Sequence, residues 1–146
     1  MTILVTRTIR RSTLCGLALA GLAACATGDP PRACPLPGQH EMVVAELFFG
    51  RSIRGRAPLT EDEWRAFSAE VIGPAFPDGF TSFDGEGQWR DAQTGAVTRE
   101  RTKILVVAIA PSPALPETLR TVIDDYRRRF DQKSVGLLTR TECGAF

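Results

Sequence analysis

Two helical periodicities are set among four runs of strand character, and this order restricts the fold more than any other feature of the chain. Residues 42–49 are apolar and β-favouring, interrupted only by Glu46 and closed by Gly50. Thr60, Glu61, Asp62 and Glu63 form a capping-box pattern. It opens a helix with Trp64, Phe67, Val71 and Ile72 on one face, which Gly73 and Pro74 are expected to stop. Extended segments follow at residues 80–91 and 98–110, joined by Ala92, Gln93, Thr94 and Gly95, a composition suited to a hairpin turn. Leu115, Leu119, Val122, Ile123, Tyr126 and Phe130 recur at helical spacing, so residues 115–130 form an amphipathic helix with Pro116 tolerated in its first turn. Residues 135–141 supply a last strand. The resulting order, βαββαβ, is the ferredoxin-like α+β pattern: a four-stranded antiparallel sheet with two helices on one face. In that topology strands one and three are central, and residues 42–49 and 103–110 are the two most apolar runs. The fourth strand lies antiparallel beside the first.

Ahead of this unit the chain carries the marks of export. Arg7, Arg10 and Arg11 form a basic segment, residues 13–24 an apolar one, and Leu22, Ala23 and Ala24 lead into Cys25 as a lipobox does. The apolar run is too short to span a bilayer as a helix, which takes about 20 residues. The expectation is a signal peptide over residues 1–24, cleaved before Cys25, whose thiol carries a diacylglycerol. Two or three acyl chains, at about 0.8 kcal/mol per buried CH₂, hold a domain firmly on a membrane face. Arg10 and Arg11 leave twin-arginine export open, although Thr13 stands where that signal favours an aromatic residue. Ala26 replaces the Asp that retains many lipoproteins in an inner membrane, which points to the outer membrane, facing the periplasm, in a two-membrane cell. Residues 25–41, rich in Pro, Gly and small polar groups, read as a tether, and residues 42–146 as the folded domain.

Removing residues 1–24 leaves 122 residues and shifts the formal charge from +1 to −2. Such a balance is unlike a nucleic-acid-binding domain, which presents a basic face. The run Arg127, Arg128 and Arg129 falls at a predicted helix end, where cations complement the macrodipole. Cys15 leaves with the signal and Cys25 takes the lipid, so Cys34 and Cys143 remain as an even pair for an oxidising compartment. The fold brings the chain before strand one close to the chain after strand four, where these two cysteines stand. A closure of this length stabilises by roughly 4 to 5 kcal/mol in the chain-entropy picture.

Catalytic constellations are sparse. The only histidine, His40, lies in the expected tether, so no Ser-His-Asp or Cys-His site can be assembled in the domain, and zinc lacks donors. Gly85 and Gly87 read as a bend in a strand rather than a phosphate loop, because Gln88 and Trp89 follow instead of a helix start. Asp78 and Gly79 read as a turn. Glu46 is the sharpest anomaly. By period two it shares a face with Val44 and Phe48, opposite Val43, Ala45, Leu47 and Phe49, so it should point from the open face of the sheet. There it would pair with Lys103 or Arg101, bind a ligand, or act as a general base. Arg51, Arg54 and Arg56 precede the helix capped by Thr60; they form either an anion site or a loop neutralised by Glu61, Asp62 and Glu63. Trp64, Tyr126 and Phe130 belong to the core, whereas Trp89, beside Arg90 near a strand end, is placed to stack on a ligand or a second subunit.

Several motifs carry a resemblance over residues 42–146. They are Leu47, Phe48, Phe49 and Gly50; Trp64 with Phe67; the run Pro74, Ala75, Phe76, Pro77, Asp78, Gly79, Phe80 and Thr81; and Gly87, Gln88, Trp89 and Arg90. Arg99 and Glu100 with Lys103, then Tyr126, Phe130 and Gln132, and the end from Cys143 to Phe146 continue the pattern. In these the chain resembles a family of small bacterial exported lipoprotein domains catalogued as a domain of unknown function. The resemblance implies no reaction, ligand or catalytic residue.

The expectation is therefore a lipid-anchored envelope protein without a cofactor or metal, a non-catalytic binding or assembly module whose sheet face bearing Val44, Glu46 and Phe48 suits self-association or capture of an apolar partner. Two alternatives stand beside it. One is a small cofactor-independent enzyme of the dimeric α+β-barrel type, with Glu46 as base and Trp89 or Arg90 orienting substrate. The other is an anionic-ligand site on the loop at residues 51–56.

Overall fold

The computed structural model describes residues 33–146. The expected signal peptide, the Cys25 lipidation site and the first part of the tether lie outside them. The described chain runs β1 (His40–Gly50), α1 (Glu61–Phe67), β2 (Thr81–Arg90), β3 (Val97–Ile109), α2 (Leu115–Arg129) and β4 (Gly136–Gly144). The four strands form one antiparallel sheet in the order β2-β3-β1-β4, which places β1 and β3 at the centre and β4 beside β1. This is the ferredoxin-like arrangement. Among the described residues no helix is long and apolar enough to cross a membrane.

Local chemistry explains the elements. At Thr60 the hydroxyl accepts from the Glu63 amide at 3.2 Å while the Glu63 carboxylate accepts from the Thr60 amide at 2.8 Å, so the capping box is closed in both directions. Past Phe67 the helix does not stop at Gly73. It widens to π-type pairing over Ser68–Ile72, where the Gly73 amide reaches the Ser68 carbonyl, and ends with one further turn at Gly73–Ala75. Pro74 has no amide to donate and sits in the first turn of that last piece, the one helical setting it tolerates. At the far end of α2, Arg127, Arg128 and Arg129 occupy the last turn and pair with Asp124, Asp125 and Glu70.

Both helices cover one face of the sheet. Ala45, Leu47 and Phe49 from β1 and Leu105 and Val107 from β3 meet Trp64, Phe67, Ile72, Leu119, Val122, Tyr126 and Phe130 in a single buried cluster. Two boundaries differ from expectation. β1 begins at His40, so the histidine and Glu41 belong to the sheet rather than to the tether, and β4 extends to Gly144. The extension sets Glu41 opposite Cys143 and carries Cys143 to Cys34, to which it is joined with the Cα atoms 5.6 Å apart.

Because this bond closes a loop of 109 residues, the double variant Cys34→Ser/Cys143→Ser should lose about 3 to 5 kcal/mol of stability. Urea unfolding under non-reducing conditions checks this, and an unchanged midpoint would mean that sheet pairing alone holds the end of β4.

Candidate functional site

The face turned away from the helices divides into two halves. Along the middle of the strands it is apolar: Val44, Phe48, Ile104 and Val106 are half-buried, while Phe83 and Leu138 are 48% and 59% exposed. Toward the C-terminal end of β1 the side chains shrink. Gly50 and Gly85 both stand opposite Thr102, Gly87 stands opposite Glu100, and Gly136 stands opposite Phe48. Three of these glycines, Gly50, Gly87 and Gly136, line a cleft of about 510 Å³, walled by Trp89 and by the turn at Gln132 and Lys133.

Glu100 rises from the floor of this cleft. One carboxylate oxygen accepts from the Trp89 indole N–H at 3.0 Å and the other from the Ser52 amide at 3.1 Å. The carboxylate leans across Gly50, where a Cβ would lie 2.7 Å from its oxygen, so only glycine admits this position. Three bonds hold the surroundings of the cleft, two of them to backbone carbonyls. The Tyr126 hydroxyl donates to the Gly50 carbonyl at 2.9 Å, Gln132 donates to the Ser52 carbonyl at 2.7 Å, and Lys133 bridges to Asp91 in the β2–β3 turn at 3.1 Å. Burial first, and the Glu100 charge second, push the Tyr126 phenol above its ordinary range, so it remains a donor. The Thr94 amide first, then Lys133 and the Gln93 amide, hold the Asp91 carboxyl below the usual carboxylate range.

On the helix side of the sheet lies a second polar group, at its rim. The Arg51 and Lys103 side chains are each 7% exposed. Arg51 donates to the Leu59 carbonyl at 2.9 Å and to Glu61 at 2.7 Å, and Lys103 reaches Glu61 at 2.8 Å and Asp84 at 3.0 Å. Two nearly buried cations are thus answered by two half-exposed carboxylates, which clasps the loop at residues 51–59 and α1 to β2 and β3.

These positions revise the sequence expectations. Glu46 does face away from the helices, but its partner is Arg140 of β4, not Lys103 or Arg101. Lys103 stands directly opposite Phe49 and therefore shares the helix-side face, which period two forbids to Glu46. Nor does one chain assemble Glu46 with Trp89. Glu46 is level with Val106 and Trp89 with Thr98, eight residues apart along β3, or roughly 26 Å at about 3.3 Å per residue. Arg90 points to the opposite face from Trp89 and donates to the Gly95 carbonyl in the turn. The loop at residues 51–56 does not gather its arginines: Arg51 turns inward, Arg56 pairs with Glu63 at 3.0 Å, and Arg54 alone stands at the cleft. His40 lies at the other end of β1 from the cleft. Among the described residues no group of three His, Cys, Asp or Glu side chains is placed to hold a metal ion.

Glu100 is the residue that sequence reasoning passed over. Its signal was present in two places. It belongs to a motif that carries the family resemblance, and so do Gly50, Gly87, Trp89 and Gln132, all of which line this cleft. The other resemblance residues Leu47, Phe49, Trp64, Phe67, Tyr126 and Phe130 form the core.

The family described as "Protein of unknown function (DUF3574)" matches residues 44–146. No curated protein sequence matches. Among solved structures, the chain is similar to a phage SAM lyase in complex with S-methyl-5'-thioadenosine, at a TM-score of 0.57 and 13% identity, covering 72% of this chain and 90% of that one. It is also similar to phage SAM lyase in the apo state, at a TM-score of 0.53 and 13% identity, covering 79% and 96%. At this identity the likeness is one of fold.

The clasp carries a pH dependence. The hydrogen bond from Lys103 is the largest influence on both Glu61 and Asp84 and holds each carboxyl below its ordinary value, 4.5 and 3.8 respectively. Groups depressed on folding contribute stability that is complete above their unfolded values and lost as pH falls through their folded ones. Lys103→Met should therefore flatten the acid limb of a stability–pH profile between about pH 6 and pH 2, read as urea midpoints. A limb as steep as that of the wild type would remove Lys103 from this role.

Proposed function

The chain belongs to the DUF3574 family of proteins of unknown function, and from that premise we propose that it is an envelope-tethered assembly module that self-associates through the open face of its sheet. The observation that carries this reading is the apolar half of that face, where Val44, Phe48, Phe83, Ile104, Val106 and Leu138 are uncovered across all four strands. A second copy of the same chain is the occupant that fits. Four strands about 4.8 Å apart and some ten residues long present roughly 600 Å² over the whole face, about half of it apolar, which is below the ~800 Å² per partner of a stable interface and suits a weak, concentration-dependent dimer. The face is also self-complementary in charge: under a two-fold axis, Glu46 of one copy can meet Arg140 of the other. Anchorage by a lipid on Cys25 would confine copies to one membrane plane and raise their encounter frequency, which favours association through a patch of this size.

A second reading, a small enzyme, draws support from the fold shared with phage SAM lyase. On this chain its acid or base would be Glu100, since Glu46 is paired and remote from the cleft.

Sedimentation equilibrium separates the two. The chain should show a saturable dimer that Phe83→Glu or Leu138→Lys weakens by at least about tenfold, since each places a charge in a contact that must lose water. Both side chains are exposed, so neither substitution burdens the monomer. A strict monomer at every concentration sinks the assembly reading. Release of S-methyl-5'-thioadenosine from S-adenosylmethionine, abolished by Glu100→Gln, would establish the enzyme instead.

A further inference from the structure

We propose that the glycine-floored cleft around Glu100 is a binding site for a small organic cation of the amidinium or ammonium class, independent of self-association.

Arg54 and Lys133 line the cleft, as do Asp91, Glu100 and Asp131, which leaves one net negative charge. Lys133 is committed to Asp91, and Arg54 is an exposed side chain at the lip. Among the described residues no Lys, Arg or His nitrogen lies within 4.0 Å of the Glu100 carboxylate, although it is half-buried. Glu46, Glu61, Asp84 and Asp91 each have a cationic partner, and the strand acids Glu41 and Glu86, which have none among the described residues, are exposed rather than half-buried. A partly desolvated carboxylate without one attracts a cation more strongly than a surface acid does.

Geometry makes the carboxylate a receptor rather than a stray charge. Its two oxygens are each fixed by one N–H donor, from Trp89 and from Ser52, so it is oriented before any ligand arrives. Each oxygen keeps lone-pair capacity beyond the one bond it accepts, enough for a bidentate N–H pair. The backbone behind it is in turn held by Tyr126 and Gln132. Gly50 and Gly87 on either side carry no side chain that could fill the space above it, and a Cβ at Gly50 would displace it. Trp89, 41% exposed, supplies an aromatic wall over which the Lys133 ammonium lies 6.0 Å from the ring centroid, so the ring already faces a cation, and a volume of about 510 Å³ lies within the range of small-molecule pockets, about 300 to 1,000 Å³. A rigid acceptor beside an aromatic wall selects a ligand with a planar or compact cationic head on an apolar body.

The probe is benzamidinium, titrated into the chain with the Trp89 indole N–H resonance as readout, against benzamide as its neutral counterpart and benzoate as the anion. Saturable benzamidinium binding that moves the Trp89 signal, with benzamide and benzoate at least about tenfold weaker, is expected from a charge-assisted contact. Glu100→Gln keeps the size of the side chain and should weaken benzamidinium by a similar factor while leaving benzamide unchanged. Equal binding of benzamidinium and benzamide to the wild-type chain, or a response that leaves the Trp89 resonance in place, overturns the proposal without reliance on any variant. Repeating the titration on Phe83→Glu keeps it distinct from self-association: retained affinity supports a site built by one chain, and its loss overturns that claim.

Discussion

Phe49 is where the central strand meets both helices, and most of the molecule is arranged around that contact. Its ring lies 5.4 Å from Trp64, 6.1 Å from Phe67 and 4.7 Å from Tyr126, tilted or edge-on in each case. Such pairs add about 0.5 to 1.5 kcal/mol each beyond the area they bury. The contact also has a polar consequence. Tyr126 is fully buried, its hydroxyl with it, so that hydroxyl must find an acceptor, and it donates to the carbonyl of Gly50, one residue beyond Phe49. The same packing that closes the core therefore fixes the end of β1. From that fixed end, the Ser52 amide is aimed at Glu100, and the cleft on the opposite face of the sheet inherits the order of the core beneath it.

The two faces of the sheet manage charge in different ways. On the helix side, Arg51 and Lys103 are nearly buried, and removing either partner of such a cluster would leave a costly unpaired charge. These groups are spent on structure, holding the loop after β1 against α1 and β2. On the open side, the Glu46 and Arg140 pair crosses from β1 to β4, in a setting where solvent screens it and its worth is small. Glu100 belongs to neither pattern, being oriented by two neutral donors with no Lys, Arg or His nitrogen of the described residues within 4.0 Å. That contrast, rather than the presence of an acid as such, marks the cleft out from the rest of the surface.

The fold was legible because it depends on features local in sequence. Period-two alternation through Val43, Ala45, Leu47 and Phe49, helical spacing from Leu115 to Phe130 and the Thr60 capping box each write their element within a few residues. The continuation of α1 past Gly73 was not legible, since a π-type widening depends on how the helix seats against Phe76 and the sheet. The partner of Glu46 was missed for a related reason. Its face could be read from alternation, but its neighbour is set by register with β4, some ninety residues away.

The candidate site shows the same division. Its components were in view as single residues: glycines in strands, a tryptophan near a strand end, an acid within a motif. What brings Gly50, Gly87, Trp89 and Glu100 onto one patch is strand register, a long-range property that no short window of sequence contains. Periodicity and composition alone set the order and type of the elements, the face each buries and the cysteine pair left for closure, because these are local properties of the chain. The tertiary structure decided which charges are consumed by the fold and which carboxylate is left oriented in a cleft, because pairing between distant strands alone sets those distances.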